Sequence, residues 1–318
     1  MKISFFLIDK AEEDIIINNF KEHSIKIFSE PLNLKNLVEV KDSDIIVSKA
    51  VFLNLEFDRN TLKNFPNLKM ISTMSTGFDH IDLIYCKEKG IFVSNVPSYG
   101  EKSVAEFTFA LILSLLKQIP KSINQINGRR VDSKEITGSD LNEKIIGVIG
   151  TGRIGLNVIK IAKAFGLKVQ AYDIFENQKA IQELGFDYIP LNELLKNSDI
   201  ISFHAPLNEQ TYHILNKNNI SLLKKDVAII NTARGGLIDT SALIDFLRNN
   251  PESLAGLDVF EGESNILSSN ELKDLLELDN VLITPHNASN TKEAKQRMLD
   301  ITIKNVLNFI KSKPLNLV

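Results

Sequence analysis

Short apolar runs and longer amphipathic stretches alternate along this chain. The runs "ISFFLI" (3–8), "IKIF" (25–28), "DIIVS" (44–48), "LKMIST" (68–73) and "IFVSN" (91–95) read as strands. They are too short for helices and nearly uniformly apolar, the pattern of strands covered on both faces. Between them lie helix-spaced stretches such as "EEDIIINNFKE" (12–22). Strand, helix, strand in succession implies a parallel sheet with helices on both sides. From about 100 to 127 the spacing is helical without a strand, which predicts a crossover ending near Gly128. Alternation resumes at "KIIGVIG" (144–150), "KVQAYD" (168–173), "FDYI" (186–189), "DIISFHA" (199–205), "VAIINT" (227–232), "LAGLDV" (254–259) and "VLIT" (281–284). A last helix, about 291–311, follows and can return to the first set of strands. With 318 residues, two α/β domains are expected rather than one core.

Composition removes several classes of partner. Net charge is −3, so no basic field is available for nucleic acid or an anionic membrane. The longest apolar segment, "FTFALILSLL" (107–116), is too short to span a bilayer and reads as a buried helix. The opening "MKISFFLID" reads as a first strand rather than a signal peptide. Cys86 is the single cysteine, so no internal disulfide forms and a cytoplasmic setting is expected.

"IIGVIGTGRIG" contains a G-x-G-x-x-G at Gly150, Gly152 and Gly155. Alone the motif is weak, because glycines also serve plain turns. Here it follows an apolar strand and opens the helix "RIGLNVIKIAKAFG", and Asp173 ends the next strand. Together these form a dinucleotide-binding fingerprint. Gly150 permits the turn, Gly152 lets backbone N–H groups approach a pyrophosphate, and Gly155 lets helix and strand pack closely. The helix N-terminus adds partial positive charge. Asp173 can accept hydrogen bonds from ribose hydroxyls and would repel a 2′-phosphate, and "IFENQ" after it holds no Arg or Lys. NAD is therefore expected rather than NADP.

Three later strands each deliver polar side chains at their carboxyl ends, where open α/β sheets bind ligands. "VAIINTARGG" leads to Arg234, "LAGLDVFEGE" to Asp258 and Glu263, and "VLITPH" to His286. This set suits hydride transfer to a ketone. A histidine exchanges the proton with the alkoxide, a carboxylate on its far ring nitrogen fixes the tautomer, and an arginine forks onto a substrate carboxylate. Each residue also has an ordinary structural alternative: Arg234 pairing with Asp239, Glu263 solvated in its loop, His286 bonding a backbone carbonyl. No H-x-x-x-H or cysteine cluster suggests a metal, and no G-x-S-x-G suggests a serine hydrolase. His80 in "FDHID" reads as a helix-start histidine, while His23 and His213 show no partner pattern.

The segments "GVIGTGRIG", "AYDIF", "FHAPLNEQTYHIL", "NTARGGLID", "GLDVFEGE" and "TPH" resemble, in order and spacing, the D-isomer-specific 2-hydroxyacid dehydrogenase family. "STGFDHIDL" (75–83) and "NVPSYGEKSVAEF" (95–107) resemble its first domain and crossover helix, and the Tyr99 segment leans toward D-lactate dehydrogenase-like members. The resemblance implies a Rossmann-type doubly wound sheet inserted in a flavodoxin-like α/β substrate domain, a cleft that closes, and a homodimer. The substrate domain would comprise 1–99 and 287–318, and the NAD domain 100–286 with the crossover helix. It further implies Arg234 on the substrate carboxylate and carbonyl, His286 as acid/base and Glu263 as its partner. Backbone N–H groups around Ser75, Thr76 and Gly77 would hold the substrate carboxylate, with Tyr99 lining the pocket. Arg153 and Ile154 would face the pyrophosphate. His204, Ala205, Pro206 and Thr211 would wall the adenosine side, and Thr232, Ala233 and Asp258 would lie near the nicotinamide.

The expected activity is reversible, NAD-dependent reduction of a small 2-oxo acid to the D-2-hydroxy acid. Glyoxylate/hydroxypyruvate reduction and a non-catalytic, corepressor-like NAD sensor are the alternatives. Three departures stand out. Glu143 replaces a glycine usual before the glycine strand. Met74 replaces a frequent arginine, which would alter the substrate mouth. Ala288, Ser289 and Asn290 follow "PH" where lactate-type members tend to carry an aromatic.

Overall fold

A computed structural model describes residues 1–49, 57–263 and 270–318. The chain divides into two compact units, Met1–Tyr99 with Thr291–Val318, and Gly100–Asn290.

The first unit is built on five parallel strands: β1 (Lys2–Phe6), β2 (Ser24–Phe28), β3 (Ile45–Ser48), β4 (Met70–Thr73) and β5 (Phe92–Ser94). Their order, β2-β1-β3-β4-β5, is the flavodoxin-like arrangement. Ile3, Phe5, Ile45, Val47 and Met70 face one side of the sheet and pack with Ile16 and Phe20 of the helix Lys10–Phe20. The helix Lys292–Ile310 returns to this unit and lays Met298, Leu299, Ile303 and Val306 into the same core.

The second unit holds seven parallel strands: β6 (Ile145–Ile149), β7 (Lys168–Tyr172), β8 (Asp187–Tyr188), β9 (Ile200–Phe203), β10 (Ala228–Asn231), β11 (Leu254–Leu257) and β12 (Val281–Ile283). The order β12-β11-β10-β9-β6-β7-β8 reverses direction between β6 and β9. That reversal is the switch point at which doubly wound sheets open a crevice for ligands. Strand residues facing opposite ways fill separate cores: Ile201, Phe203 and Ile229 on one face, Ile146, Val148, Ile200 and Ile230 on the other. Alternation of side chains across a sheet buried on both faces accounts for the near-continuous apolar runs.

The crossover is helical over the stretch the spacing predicts and ends at Gly128, with a break inside it. It forms two helices, Glu101–Leu116 and Ile119–Asn127, bent by 58°. Gln118 adopts a left-handed conformation (φ 52°) and Pro120 opens the second helix, where its missing N–H costs nothing. The return to the first unit falls between Asn290 and Thr291, beyond His286. Asn287 and Ala288 stay with the second unit because their N–H groups bond Asp258.

Candidate active site

The glycine turn is shaped as the motif requires. Gly150 has φ 93°, and a Cβ there would lie 2.4 Å from Ala205 N at the end of β9. A Cβ on Gly155 would meet Gly150 O at 2.0 Å, so only glycine lets the helix Arg153–Ala164 start so close to β6. A Cβ on Gly152 would meet nothing within 4 Å, which leaves its backbone open on the ligand side. Arg153, exposed, and Ile154, half-buried, open the helix whose first N–H groups carry partial positive charge.

Asp173 follows β7 and is held by a residue the sequence reading did not single out. Thr151, inside the glycine motif, donates to Asp173 Oδ2 from its N–H (2.6 Å) and its hydroxyl (3.0 Å). Phe175 N–H donates to Oδ1 at 3.1 Å. A carboxylate offers about four acceptor positions, so capacity remains for a ribose hydroxyl. Tyr188 OH lies 2.7 Å from the Thr151 hydroxyl. A cavity lined by Tyr172, Asp173, Glu176, Tyr188, Ile189 and Pro190 adjoins. Its two carboxylates and lack of a cation suit an unphosphorylated ribose.

Across the switch point, His204 is buried, with Nε2 2.8 Å from Ser202 Oγ. Burial pulls its imidazole down to about 3, so the ring is neutral in the folded protein. Thr211 closes its own loop by donating to Pro206 O (2.6 Å) and accepting from Asn208 N (2.9 Å). Ala205 is buried and Pro206 exposed on that loop. Thr232 is buried with its hydroxyl 3.0 Å from Thr108 Oγ1, and Ala233 O accepts from Arg234 Nη1 at 2.8 Å.

Arg234 follows β10 in extended backbone, half-buried, and its carbonyl accepts from Asn231 Nδ2. Asp239, the carboxylate that sequence proximity offered it, accepts from Ala242 N and caps the helix Thr240–Asn249. His286 pairs with Glu263: Nδ1 lies 3.1 Å from Oε1. Its backbone is left-handed, φ 48°, a conformation that costs a non-glycine residue on the order of 1 kcal/mol or more unless its surroundings impose it.

Asp258 imposes it. Its carboxylate is fully buried and accepts from Thr284 Oγ1 (2.6 Å), Asn287 N (3.0 Å) and Ala288 N (2.9 Å). Its carbonyl accepts from His286 N at 2.9 Å. The structure therefore gives Asp258 a second task beside the one the resemblance implies: it fixes the turn that presents the histidine.

His213 also has a partner that spacing did not reveal. Its Nε2 lies 2.8 Å from Glu261 Oε1, and Glu261 Oε2 accepts from Thr240 N. Glu261 thus ties the short segment carrying Glu263 to two neighbouring loops. Of the four buried side-chain atoms without a hydrogen-bond partner among the described residues, three belong to this site: His204 Nδ1, Glu263 Oε2 and Asn287 Oδ1. Unsatisfied buried polar atoms are rare, and these three follow the carboxyl ends of β9, β11 and β12, the edge on which such sheets receive ligands.

In the first unit, the loop after β4 carries Ser75, Thr76 and Gly77. Its three carbonyls are all engaged, Ser75 O by Val96 N (2.9 Å), Thr76 O by Asn95 Nδ2 (2.8 Å) and Gly77 O by Ser75 Oγ (2.5 Å). No described residue accepts from the three N–H groups. Successive N–H groups left open in this way form an anion nest. Tyr99 packs on the first unit's core, and its carbonyl accepts from Arg297 Nε. Met74, where the resemblance has a frequent arginine, is 2% exposed and packs in the first core just before this loop, a thioether filling space that a guanidinium could not occupy unpaired. No group of three or more metal-binding side chains occurs among the described residues.

A glycine turn at the switch point and an acidic ribose acceptor define an NAD-binding protein, and a histidine–carboxylate pair with an arginine at neighbouring strand ends makes it an oxidoreductase. The chain belongs to the D-isomer specific 2-hydroxyacid dehydrogenase family, whose NAD-binding domain matches residues 109–288. It is 36% identical to an aromatic 2-oxoacid reductase of Clostridium sporogenes, over 97% of this chain and 96% of that one. A glyoxylate reductase of Thermococcus litoralis is 33% identical over 100% and 97%. Among solved structures, D-lactate dehydrogenase from Aquifex aeolicus complexed with NAD and lactic acid superposes with a TM-score of 0.90 at 38% identity, covering 98% of this chain and 96% of that one.

Proposed function

We propose that the protein reduces a small 2-oxo acid to the D-2-hydroxy acid, and runs the reverse, in the manner of a D-lactate dehydrogenase. The observation that carries this reading is the His286–Glu263 pair on a turn fixed from within by Asp258. When bound, the nicotinamide supplies or accepts the hydride. His286 exchanges the proton with the substrate oxygen. Its Nδ1 engages Glu263, so Nε2 carries that proton. Glu263 orients the ring and selects its tautomer. Arg234 brings a fixed charge that forks onto the substrate carboxylate and polarises the carbonyl beside it. The nest at 75–77 is a second carboxylate receptor.

Substrate size is the finer question. Ala288, Ser289 and Asn290 after the histidine are small or polar where lactate-type members tend to carry an aromatic. That supports room for a bulkier 2-oxo acid, in line with the name of the Clostridium relative. Glyoxylate or hydroxypyruvate reduction is the second reading, supported by the Thermococcus relative. Loss of NADH absorbance with pyruvate, glyoxylate, 2-oxobutyrate, hydroxypyruvate and phenylpyruvate in turn separates these. Turnover of none of them, with NADH bound, overturns the reading in favour of an NAD-sensing protein.

The assembly we propose is a homodimer in the cytoplasm. Ile119, Ile123 and Ile126 are 44%, 53% and 65% exposed on one face of the helix Ile119–Asn127, an apolar stripe that a second copy would cover. Among the described residues no single helix is long and apolar enough to cross a membrane. Light scattering on wild type and Ile123→Lys tests the dimer; an equal mass for both rules this face out.

A further inference from the structure

Tyr188 does more than end a strand. β8 is two residues long and lies at the edge of the second sheet, paired to β7 through Ala171. The tyrosine ring is half-buried against the core that Val148 and Ile230 fill, and meets Phe186 edge-on with centroids 5.2 Å apart. A phenylalanine would serve that packing equally well. The hydroxyl is spent elsewhere. It accepts from Asn177 N at 3.1 Å and lies 2.7 Å from Thr151 Oγ1. Asn177 in turn caps the helix Gln178–Leu184, its side chain accepting from Ala180 N. One oxygen thus ties the glycine turn to the far end of the loop that begins at Asp173.

The directions of these bonds are fixed. A backbone N–H only donates and a carboxylate only accepts. The single hydroxyl proton of Thr151 therefore goes to Asp173 Oδ2, and Tyr188 donates to Thr151 Oγ1. Every donor in the series Asn177, Tyr188, Thr151 points toward Asp173, and hydrogen bonds aligned in this way polarise one another. Thr151 fills both acceptor positions of Oδ2 with its N–H and its hydroxyl, and Phe175 N–H takes one of Oδ1. Among the described residues one position of Oδ1 stays open. Without the tyrosine proton, the Thr151 hydroxyl is free to turn, and the carboxylate loses its fixed plane. We propose that Tyr188, acting through Thr151, is the positioning residue that holds Asp173 with a single open acceptor for the adenosine ribose 2′-hydroxyl, and so sets part of the preference for NADH over NADPH. Repulsion of a 2′-phosphate by the Asp173 charge needs no fixed plane, whereas a hydrogen bond from a hydroxyl does. The relay therefore strengthens NADH binding and leaves the rejection of NADPH to charge. It holds whichever 2-oxo acid the protein turns over.

Cofactor titrations on the full chain, followed by fluorescence of the bound dihydronicotinamide, test this. Tyr188→Phe keeps the ring and removes the proton. It should raise Kd for NADH by about five-fold, the equivalent of one hydrogen bond, and Kd for NADPH by less than about two-fold. The reduced dinucleotide lacking the adenosine 2′-hydroxyl should bind wild type and variant alike. Thr151→Val keeps the N–H and the branched shape and should reproduce the loss for NADH. Because both side chains act through one series of bonds, the double variant should bind NADH no more weakly than either single one. Equal losses for all three cofactors, or losses that multiply in the double variant, overturn the relay and leave Tyr188 a packing residue. An unchanged Kd for NADH in Tyr188→Phe overturns it as well. If Tyr188→Phe melts below the assay temperature, Thr151→Val decides alone by the same Kd values.

Discussion

The loop after β4 and the loops after β10, β11 and β12 both gather at the carboxyl ends of parallel strands, yet they are built from different materials. Ser75, Thr76 and Gly77 offer backbone N–H groups whose carbonyls are tied inward. Arg234, Glu263 and His286 offer side chains, and the polar groups behind them, Asp258 above all, hold the backbone still. A nest of N–H groups has no charge to lose and no tautomer to choose, so it suits recognition. A histidine with a carboxylate partner can change protonation state, so it suits chemistry. On the proposed reading, the nest adds affinity for the acid, and the His286–Glu263 pair carries turnover.

The same contrast explains what the sequence could disclose. Side-chain chemistry is written in residue identity: "VLITPH" showed a histidine at a strand end, and the glycine spacing with Asp173 showed where a dinucleotide belongs. Strands were legible because sheets covered on both faces need continuous apolar runs. A backbone nest is not written in that way, since "STG" is an ordinary loop composition, and only the family resemblance pointed to it. Relays across long separations were equally hidden. Thr151 and Tyr188 lie 37 positions apart, and His213 and Glu261 lie 48 apart. The break at Gln118 was partly visible, since Pro120 marks a helix start, but the apolar spacing on both sides masked it.

The hardest blow to the comparison comes from His286. Removing the ring should lower kcat by roughly 10²–10⁴ while Kd for NADH and for oxamate change little. His286→Asn is the cleaner variant, because asparagine tolerates the left-handed backbone better than alanine. Turnover within a few-fold of wild type would remove His286 from the chemistry and end the contrast between a chemical side chain and a recognising backbone.

Asp258→Asn comes next. The amide turns one acceptor oxygen into a donor facing either Ala288 N–H or the Thr284 and Asn287 donors, all in a fully buried site. One unpaired buried N–H costs about 1–3 kcal/mol. Stability by urea unfolding should fall by that order, and kcat should fall with it because the His286 turn loosens. A variant with lost stability and intact kcat would show that the turn does not depend on Asp258.

His204 makes the second unit sensitive to acid. Burial keeps its ring neutral with a pKa of about 3, whereas the unfolded ring takes up a proton below its ordinary 6.5. Between those values the unfolded chain binds more protons, so this contribution is fully present above about pH 6.5 and fades as pH falls toward 3, by up to about 1.4 kcal/mol per pH unit. His204→Gln should flatten that slope. Urea midpoints at about pH 7 and pH 5 measure it, and an identical drop in both proteins would assign the acid sensitivity to other groups.

The smallest effect separates two kinds of strain within the second unit. Glu143 shares the left-handed backbone of His286, with φ 66°, but holds no ligand group in place. Its N–H donates to Gly166 O, and its carboxylate pairs with Lys168 at 2.6 Å on the exposed surface. Lys168 holds that carboxyl below the usual carboxylate range. Glycine adopts this conformation without the Cβ penalty, and an exposed ion pair adds little. Glu143→Gly should therefore raise Tm, on the order of 1 °C, with kcat and KM unchanged. At position 286 the same backbone conformation cannot be relieved so freely, because the residue that would relieve it carries no imidazole. If Glu143→Gly lowers Tm instead, the Lys168 pair outweighs the backbone, and left-handed geometry by itself is no sign of a cost borne for function.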